Sequence, residues 1–403
     1  MIYFISILLY FLFLETIFWI LSKRINKSLP FFINIPYIRS RIGLRNTVLA
    51  LAMKHYMVHD ANLGYRMKAN CKPFRLLRKI PGLKRRFKEI KIKNYFEIST
   101  DSYGFIKTRE DQNINYQELA NNKRIFKILA SGNSITAGYG VKSGKYTWPA
   151  VLEQLLIEDG LFRSELFDSV VVINSSSLGN QISQEFKMFV DETIYLKPNL
   201  VVALSGGNMG YDYIGTPSDL ALHEQQKIME NKANFPWYLR QNFFIPSTRC
   251  WLKEHGYLSK YYNTDRFPQR KSDYLMIKAG DLTVQRIKQF YGICQNNGIG
   301  YIFCQQPGMG IGHKEYTKEE STFIKYFERY FFNLDWDTYV EIGNKYYNDV
   351  DAAAKNLPYY HNFVNIFDNI KETIYSDTRH QNELGHEIIA KRMMTIIKDL
   401  YPK

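Results

Sequence analysis

IFKILASGNSITAGYG, residues 125–140, decides how this chain is read. Its first half is an apolar, β-leaning run ending near Ala130, the pattern of a buried strand. Its second half, from Gly138, holds Gly and Pro residues and leads into PAVLEQLLIE (149–158), a helical stretch. A strand, a tight turn and a helix form the junction at which α/β enzymes place reactive groups. It is equally the junction at which a Ser or Asn simply caps a helix. Ser134 is therefore either a nucleophile or a cap, and this stretch alone leaves both open.

Working outward, the same alternation continues to the end of the chain. VVVINSSS (170–177), LVVALSGG (200–207), IGYIFCQQP (299–307) and FVNIFD (363–368) read as short buried strands. Helical patterns follow or separate them: SQEFKMFVDETIYL, DLTVQRIKQFYGICQNN, TYVEIGNKYYNDVDAAAK and NELGHEIIAKRMMTIIKDLY. Apolar strands separated by amphipathic helices predict a three-layer α/β/α sandwich around a central parallel sheet of flavodoxin-like type. The functional crevice of such a sheet lies at the carboxyl ends of its strands.

Composition narrows the class without naming a chemistry. The chain has 403 residues, 30 Tyr, 27 Phe and a formal charge of +14, which favours anionic surfaces and says nothing of fold. Cys71, Cys250, Cys294 and Cys304 show neither CxxC spacing nor His clustering, which argues against a zinc site. Buried free thiols fit Cys294 and Cys304 better than a bridge between them. GMGIG (308–312) lacks the GxGxxG spacing of a dinucleotide turn and reads as a strand-end loop. No metal or cofactor is implied.

MIYFISILLYFLFLETIFWIL (1–21) differs in kind, being apolar all round except Ser6, Glu15 and Thr16. It is long enough to cross a hydrocarbon layer of ~30 Å as a helix, and lacks the basic start and small-residue cleavage site of a signal peptide. Residues 1–22 are accordingly expected to be a single-pass transmembrane anchor. Glu15 would cost ~3 kcal/mol at the bilayer centre, so it belongs off-centre or against a partner. Lys23, Arg24 and Lys27 follow the span and no basic side chain precedes it, which leans the body toward the cytoplasm. From Lys68 to Lys93 eleven Lys or Arg stand against one Glu. That run is either a solvated face or an adhesion surface for anionic lipid headgroups, and no nucleic-acid module frames it. The expected organisation is an anchor (1–22), a basic accessory segment (23–122) and a catalytic domain (123–403). The last carries an insert, about 211–275, holding Trp237 and Trp251, that forms either a lid or a self-contained excursion.

Four groups stand at strand ends or before the last helix: Ser134, Gly179 in NSSSLGNQ, Asn208 in LSGGNM, and the pair Asp377 and His380 in SDTRHQNELGHE. Singly, each has an ordinary explanation as a cap, a turn residue or a surface histidine. As a set they supply a hydroxyl, a base, an acid to orient the base, and donors for an oxyanion. His386, six residues beyond His380, is expected to pack in or cap the last helix.

Here the sequence resembles the SGNH, or GDSL, hydrolases, whose four blocks carry Ser, Gly, Asn and His in that order. SGNSITAG, the Gly179 region, SGGN ending at Asn208, and DTRH match those blocks in order. YTWPAVLEQLL and ELGHEIIAKRM resemble the helices that follow the first and last blocks, and DANLGYRMKAN and ISTDSYGF look like N-terminal segments of anchored or exported members. The resemblance implies an SGNH-type fold and an acyl-enzyme mechanism, with Ser134 as nucleophile, His380 as general base then acid, and Asp377 orienting it. It further implies an oxyanion hole built from the Ser134 and Gly179 backbone N–H groups and the Asn208 amide. Two positions depart from the family pattern: Asn133 where Asp is usual, and Met209 where the third block often continues with Asp. The expected activity is that of a serine esterase acting on an O-acylated glycan, a lipid or a small ester. Two alternatives stay open: an O-acyltransferase modifying a surface polysaccharide, and a non-catalytic, membrane-bound binding or scaffold protein keeping the fold.

Overall fold

The computed structural model describes residues 55–60, 62–73, 97–109, 111–208, 279–325 and 336–402. The run 1–22, most of the basic run 68–93, Met209 and the insert about 211–275 lie outside the described residues. Among the described residues no helix is long and apolar enough to cross a membrane. All of the described residues except His55 belong to one compact unit, Tyr56–Arg75, Asn94–His223 and Leu275–Lys403.

Its centre is a five-stranded, wholly parallel sheet of β3 (Ile125–Gly132), β4 (Ser169–Asn174), β5 (Leu200–Ser205), β6 (Gly300–Gln305) and β7 (Tyr360–Asn362), in the order β4-β3-β5-β6-β7. A short antiparallel hairpin, β1 (Met57–Asp60) and β2 (Gly64–Met67), precedes it. The residues of β3 to β6 are almost all buried, as continuous apolar runs covered on both faces must be. Alternate side chains serve two cores. Phe126, Ile128 and Ala130 face one, with α2 (Trp148–Asp159) and α7 (Glu383–Leu400). Leu129, Val201 and Phe303 face the other, with α3 (Ile182–Asp191), α4 (Ala279–Asn296) and α6 (Trp336–Ala354). Two small helices, α1 (Tyr116–Asn121) and α5 (Lys318–Lys325), also lie among the described residues.

Lys127 looks out of place in so apolar a strand. Its ammonium reaches the carbonyls at the end of α1, those of Leu119, Ala120 and Asn122, at 3.1 to 3.4 Å. A cation at a helix C-terminus satisfies both the orphan carbonyls and the dipole there.

Two expectations shift. The last strand is not FVNIFD but the preceding Tyr360–Asn362, paired with Phe303–Gln305. The Phe363 N–H makes the final bond to Gln305, and successive turns then bury Phe363 and Phe367 on one side. Turns with i, i+4 burial and a strand share the same local hydrophobicity, so the run misled. Cys294 and Cys304 are buried and free, as is Cys71.

The sheet order sets the position of the site. From β3 the chain passes to β4 on one side and then returns to β5 on the other. That reversal opens a crevice at the carboxyl end of β3, where ligands of such sheets bind.

Candidate active site

Ser134 follows β3 by two residues, and it does not cap a helix. The chain after it runs through a series of turns, closed by bonds such as Tyr139 N–H to the Ser134 carbonyl at 2.8 Å. Helix α2 starts only at Trp148, with Thr147 at its N-cap and Pro149 in its first turn. The Ser134 hydroxyl instead lies 2.7 Å from His380 Nε2. His380 Nδ1 lies 2.8 and 2.9 Å from the two Asp377 oxygens. A carboxylate only accepts, so Nδ1 carries the proton there and Nε2 presents a lone pair toward Ser134.

The spacing Asp377–His380 is explained by a tight loop. Ser376 N–H bonds the His380 carbonyl at 2.8 Å, and Tyr375 bridges Gln381 antiparallel. Within it, Asp377 Oδ1 accepts the backbone N–H groups of Arg379 and His380, each at 2.8 Å. The carboxylate thus holds its own loop and the imidazole at once. The loop ends at Asn382, whose side chain caps α7 by accepting Gly385 N–H at 3.1 Å. Gly140 lies against this loop; a Cβ there would stand 2.4 Å from the Gln381 carbonyl oxygen, and its φ of +109° is a glycine conformation. Tyr139 packs edge-on against the His380 ring, centroids 4.3 Å apart.

Gly179 and Asn208 arrive from the two strands flanking β3. Gly179 has φ +76°. Among the described residues neither its N–H nor that of Ser134 is taken by another hydrogen bond. Asn208 is buried, and its amide donates one proton to the Asn180 carbonyl at 2.8 Å, which ties the ends of β4 and β5 together. Ser134, Gly179 and Asn208 thus follow the carboxyl ends of three adjacent strands, and backbone N–H groups and an amide are the donor types that stabilise a developing oxyanion.

Asn133, the departure before Ser134, is 1 % exposed. Its oxygen accepts Ile135 N–H at 3.1 Å, and its amide donates to Gln306 Oε1. His386 sits wholly buried on α7, its Nδ1 accepting the Trp148 N–H at the start of α2 at 3.0 Å. Burial first, and His380 second, push its pKa down to about 3, so it is a neutral helix-capping acceptor. Among the described residues no group of His, Cys, Asp and Glu has metal-ligand geometry.

No curated protein matches the chain. Among solved structures it is similar to a GDSL-like lipase from Bacteroides thetaiotaomicron, at 13% identity over 71% of this chain and 98% of that one, TM-score 0.36. It is similar too to a variant of an acetyl xylan esterase from Geobacillus stearothermophilus, at 14% identity over 67% and 94%, TM-score 0.37. The family model for GDSL-like lipase/acylhydrolase matches residues 128–393, about two-thirds of the chain. The chain belongs to the GDSL-like lipase/acylhydrolase family. As a member it is an ester-hydrolysing enzyme.

Within this acylhydrolase, sequence reasoning missed Gln306, Tyr65 and Glu320. Gln306 had a signal, since it directly follows a buried strand of the parallel sheet. Tyr65, whose hydroxyl donates to the Gly179 carbonyl at 2.7 Å, lies in DANLGYRMKAN, a stretch the resemblance picked out without giving Tyr65 a role, because its partner lies far away in sequence. Glu320 is fully buried and accepts the N–H groups of Ile374 and Tyr375 at 2.8 and 2.9 Å, just ahead of Asp377.

Proposed function

We propose that this acylhydrolase works through a Ser134–His380–Asp377 relay and an acyl-enzyme. The supporting observation is the 2.7 Å approach of the Ser134 hydroxyl to His380 Nε2, with His380 Nδ1 on Asp377. His380 takes the hydroxyl proton as Oγ attacks the ester carbonyl, and the imidazolium, steadied by Asp377, returns that proton to the leaving alcohol. Water then attacks the acyl group on Ser134, giving its proton to His380, and the second tetrahedral species collapses to release the acid as His380 returns that proton to Ser134 Oγ. The negative oxygen of both tetrahedral species is held by the N–H groups of Ser134 and Gly179 and by the free proton of the Asn208 amide. Each such donor is worth ~3 kcal/mol of transition-state stabilisation.

The substrate in this reading is an O-acyl ester on a glycan, a lipid or a small molecule. Residues 1–22 anchor the enzyme in a membrane as a single span, the basic run 68–93 adheres to anionic headgroups, and the positive-inside pattern turns the catalytic domain, 123–403, toward the cytoplasm. A fluorophosphonate probe is expected to label the full-length chain and not Ser134→Ala; equal labelling of both ends the proposal. Protease protection of the body in sealed vesicles tests the orientation, and cleavage from the outer side reverses it.

A further inference from the structure

We propose that the N-terminal hairpin β1–β2, outside the residues matched by the family model, positions the oxyanion loop, with Tyr65 as its contact residue. The proposal rests on the reading of Gly179 as an oxyanion donor. A glycine at φ +76° gains nothing from its own side chain to hold that conformation, and glycine visits either sign of φ with little preference. Something else must fix it. Tyr65, 4 % exposed, donates its hydroxyl to the Gly179 carbonyl at 2.7 Å, which sets the plane of the peptide following Gly179. The Asn180 carbonyl, one peptide further, is held by the Asn208 amide. The Gln181 N–H, at the same peptide, donates to Gln184 Oε1 at 3.0 Å. Gln184 in turn donates from Nε2 to the Leu63 carbonyl at 2.8 Å, back on the hairpin.

The loop 179–181 is thus held from the hairpin at two points, Tyr65 and the Gln184 bridge to Leu63. The Gly179 N–H is the group left over, aimed by its neighbours rather than by a bond of its own. The hairpin is braced internally by the Arg66–Asp60 ion pair and tethered separately by the pair from Arg66 to Glu192, the residue just past α3. Loss of Tyr65's hydroxyl therefore loosens the donor without removing the hairpin.

The test uses the full-length chain in detergent with p-nitrophenyl acetate. Tyr65→Phe is expected to lower kcat on the order of tenfold, as a misaimed donor costs less than an absent one. KM should stay within about twofold, because the hole acts on the transition state. Gln184→Met, cutting the second link, is expected to lower kcat in the same direction and carries the test if Tyr65→Phe fails to fold. Arg66→Gln, which removes the Glu192 tether but leaves Tyr65 and Gln184 in place, is expected to lower the melting temperature and to lower kcat by less than either loop variant. Wild-type kcat in both loop variants overturns the proposal, as does an equal kcat loss in Arg66→Gln, which would make the hairpin a general support only. Ser134→Ala in parallel separates the two readings. If it keeps the wild-type rate, the active-site reading falls and this proposal with it. If it is inactive while Tyr65→Phe and Gln184→Met match wild type, only the hairpin proposal falls.

Discussion

Asn133 and Gln306 share a hydrogen bond one residue before Ser134, amide to side-chain carbonyl, so the place where related enzymes keep a carboxylate is neutral here. Gln306 extends the chain by donating to the buried Tyr347 hydroxyl, which weakly offsets the burial that raises that phenol's pKa. A hydroxyl donates as readily as it accepts, so Gln306 can turn its amide over and present an N–H to position 133. Asn133→Asp is therefore expected to keep fluorophosphonate labelling of Ser134 within about tenfold of wild type. Gln306→Leu leaves the Asn133 amide unpaired in a buried site, at about 1–3 kcal/mol, and should be the more damaging change. An inactive Asn133→Asp beside an active Gln306→Leu would refute this account.

Asp377 accepts three N–H groups, two from its loop backbone and one from His380. Asp377→Asn keeps one acceptor oxygen but places an NH2 group where the ring needs an acceptor. The imidazole is then driven toward the tautomer with its proton on Nε2, which cannot take one from Ser134. We expect kcat to fall at least about 100-fold with KM little changed, measured on a short acyl ester. A loss below fivefold, or one confined to KM, speaks against Asp377 orienting the base.

Lys314 and Glu320 form an ion pair at 3.0 Å whose side chains are 3 % and 0 % exposed, whereas Lys371 and Glu315 pair at 76 % and 77 % exposure. Burial decides their worth. Lys314→Met strands a buried carboxylate and is expected to cost ~3–5 kcal/mol. Lys371→Met should cost less than about 1 kcal/mol. Glu320 also holds Ile374 and Tyr375, so the first variant should lose activity at temperatures where its fold survives. Denaturant unfolding of the two variants checks the contrast, and similar losses in both defeat it.

What the sequence made legible follows from how local each signal is. The strands FKILASG, VVVINSSS, LVVALSGG and IGYIFCQQP announce themselves because a parallel sheet demands unbroken apolar runs. The helix NELGHEIIAKRMMTIIKDLY appears within a residue of Glu383–Leu400 because Asn382 caps it and its apolar period is regular. Ser134, Asp377 and His380 were visible through their places at a strand end and before a helix. The hairpin Met57–Met67 has strands of four residues, too short for any period, and its use comes from a contact 114 residues away in the chain. Glu320 looks like any charge on a small amphipathic helix. Only the fold tells it from its half-buried neighbour Glu319.

Glu185 and His386 set opposite pH limits on the fold. Burial raises the Glu185 carboxyl from 4.5 to about 8, against a smaller opposing effect of the Ser205 hydroxyl that donates to it at 2.6 Å. The folded state then binds a proton that the unfolded state has released, so stability falls as pH rises from about 4.5 to about 8. His386 runs the other way. Lowered from 6.5 to about 3, it stays neutral in the fold while the unfolded chain takes up a proton, so stability falls as pH drops through that window. The melting temperature should be greatest where the two windows overlap, at mildly acid pH. Glu185→Gln, which cannot ionise and retains an oxygen for Ser205, is expected to flatten the alkaline side by an amount on the order of a few kcal/mol. The acid side, which belongs to His386, should remain. Melting curves from pH 4 to 9 decide it: if wild type and Glu185→Gln run parallel above pH 5, Glu185 is not the group that limits stability there.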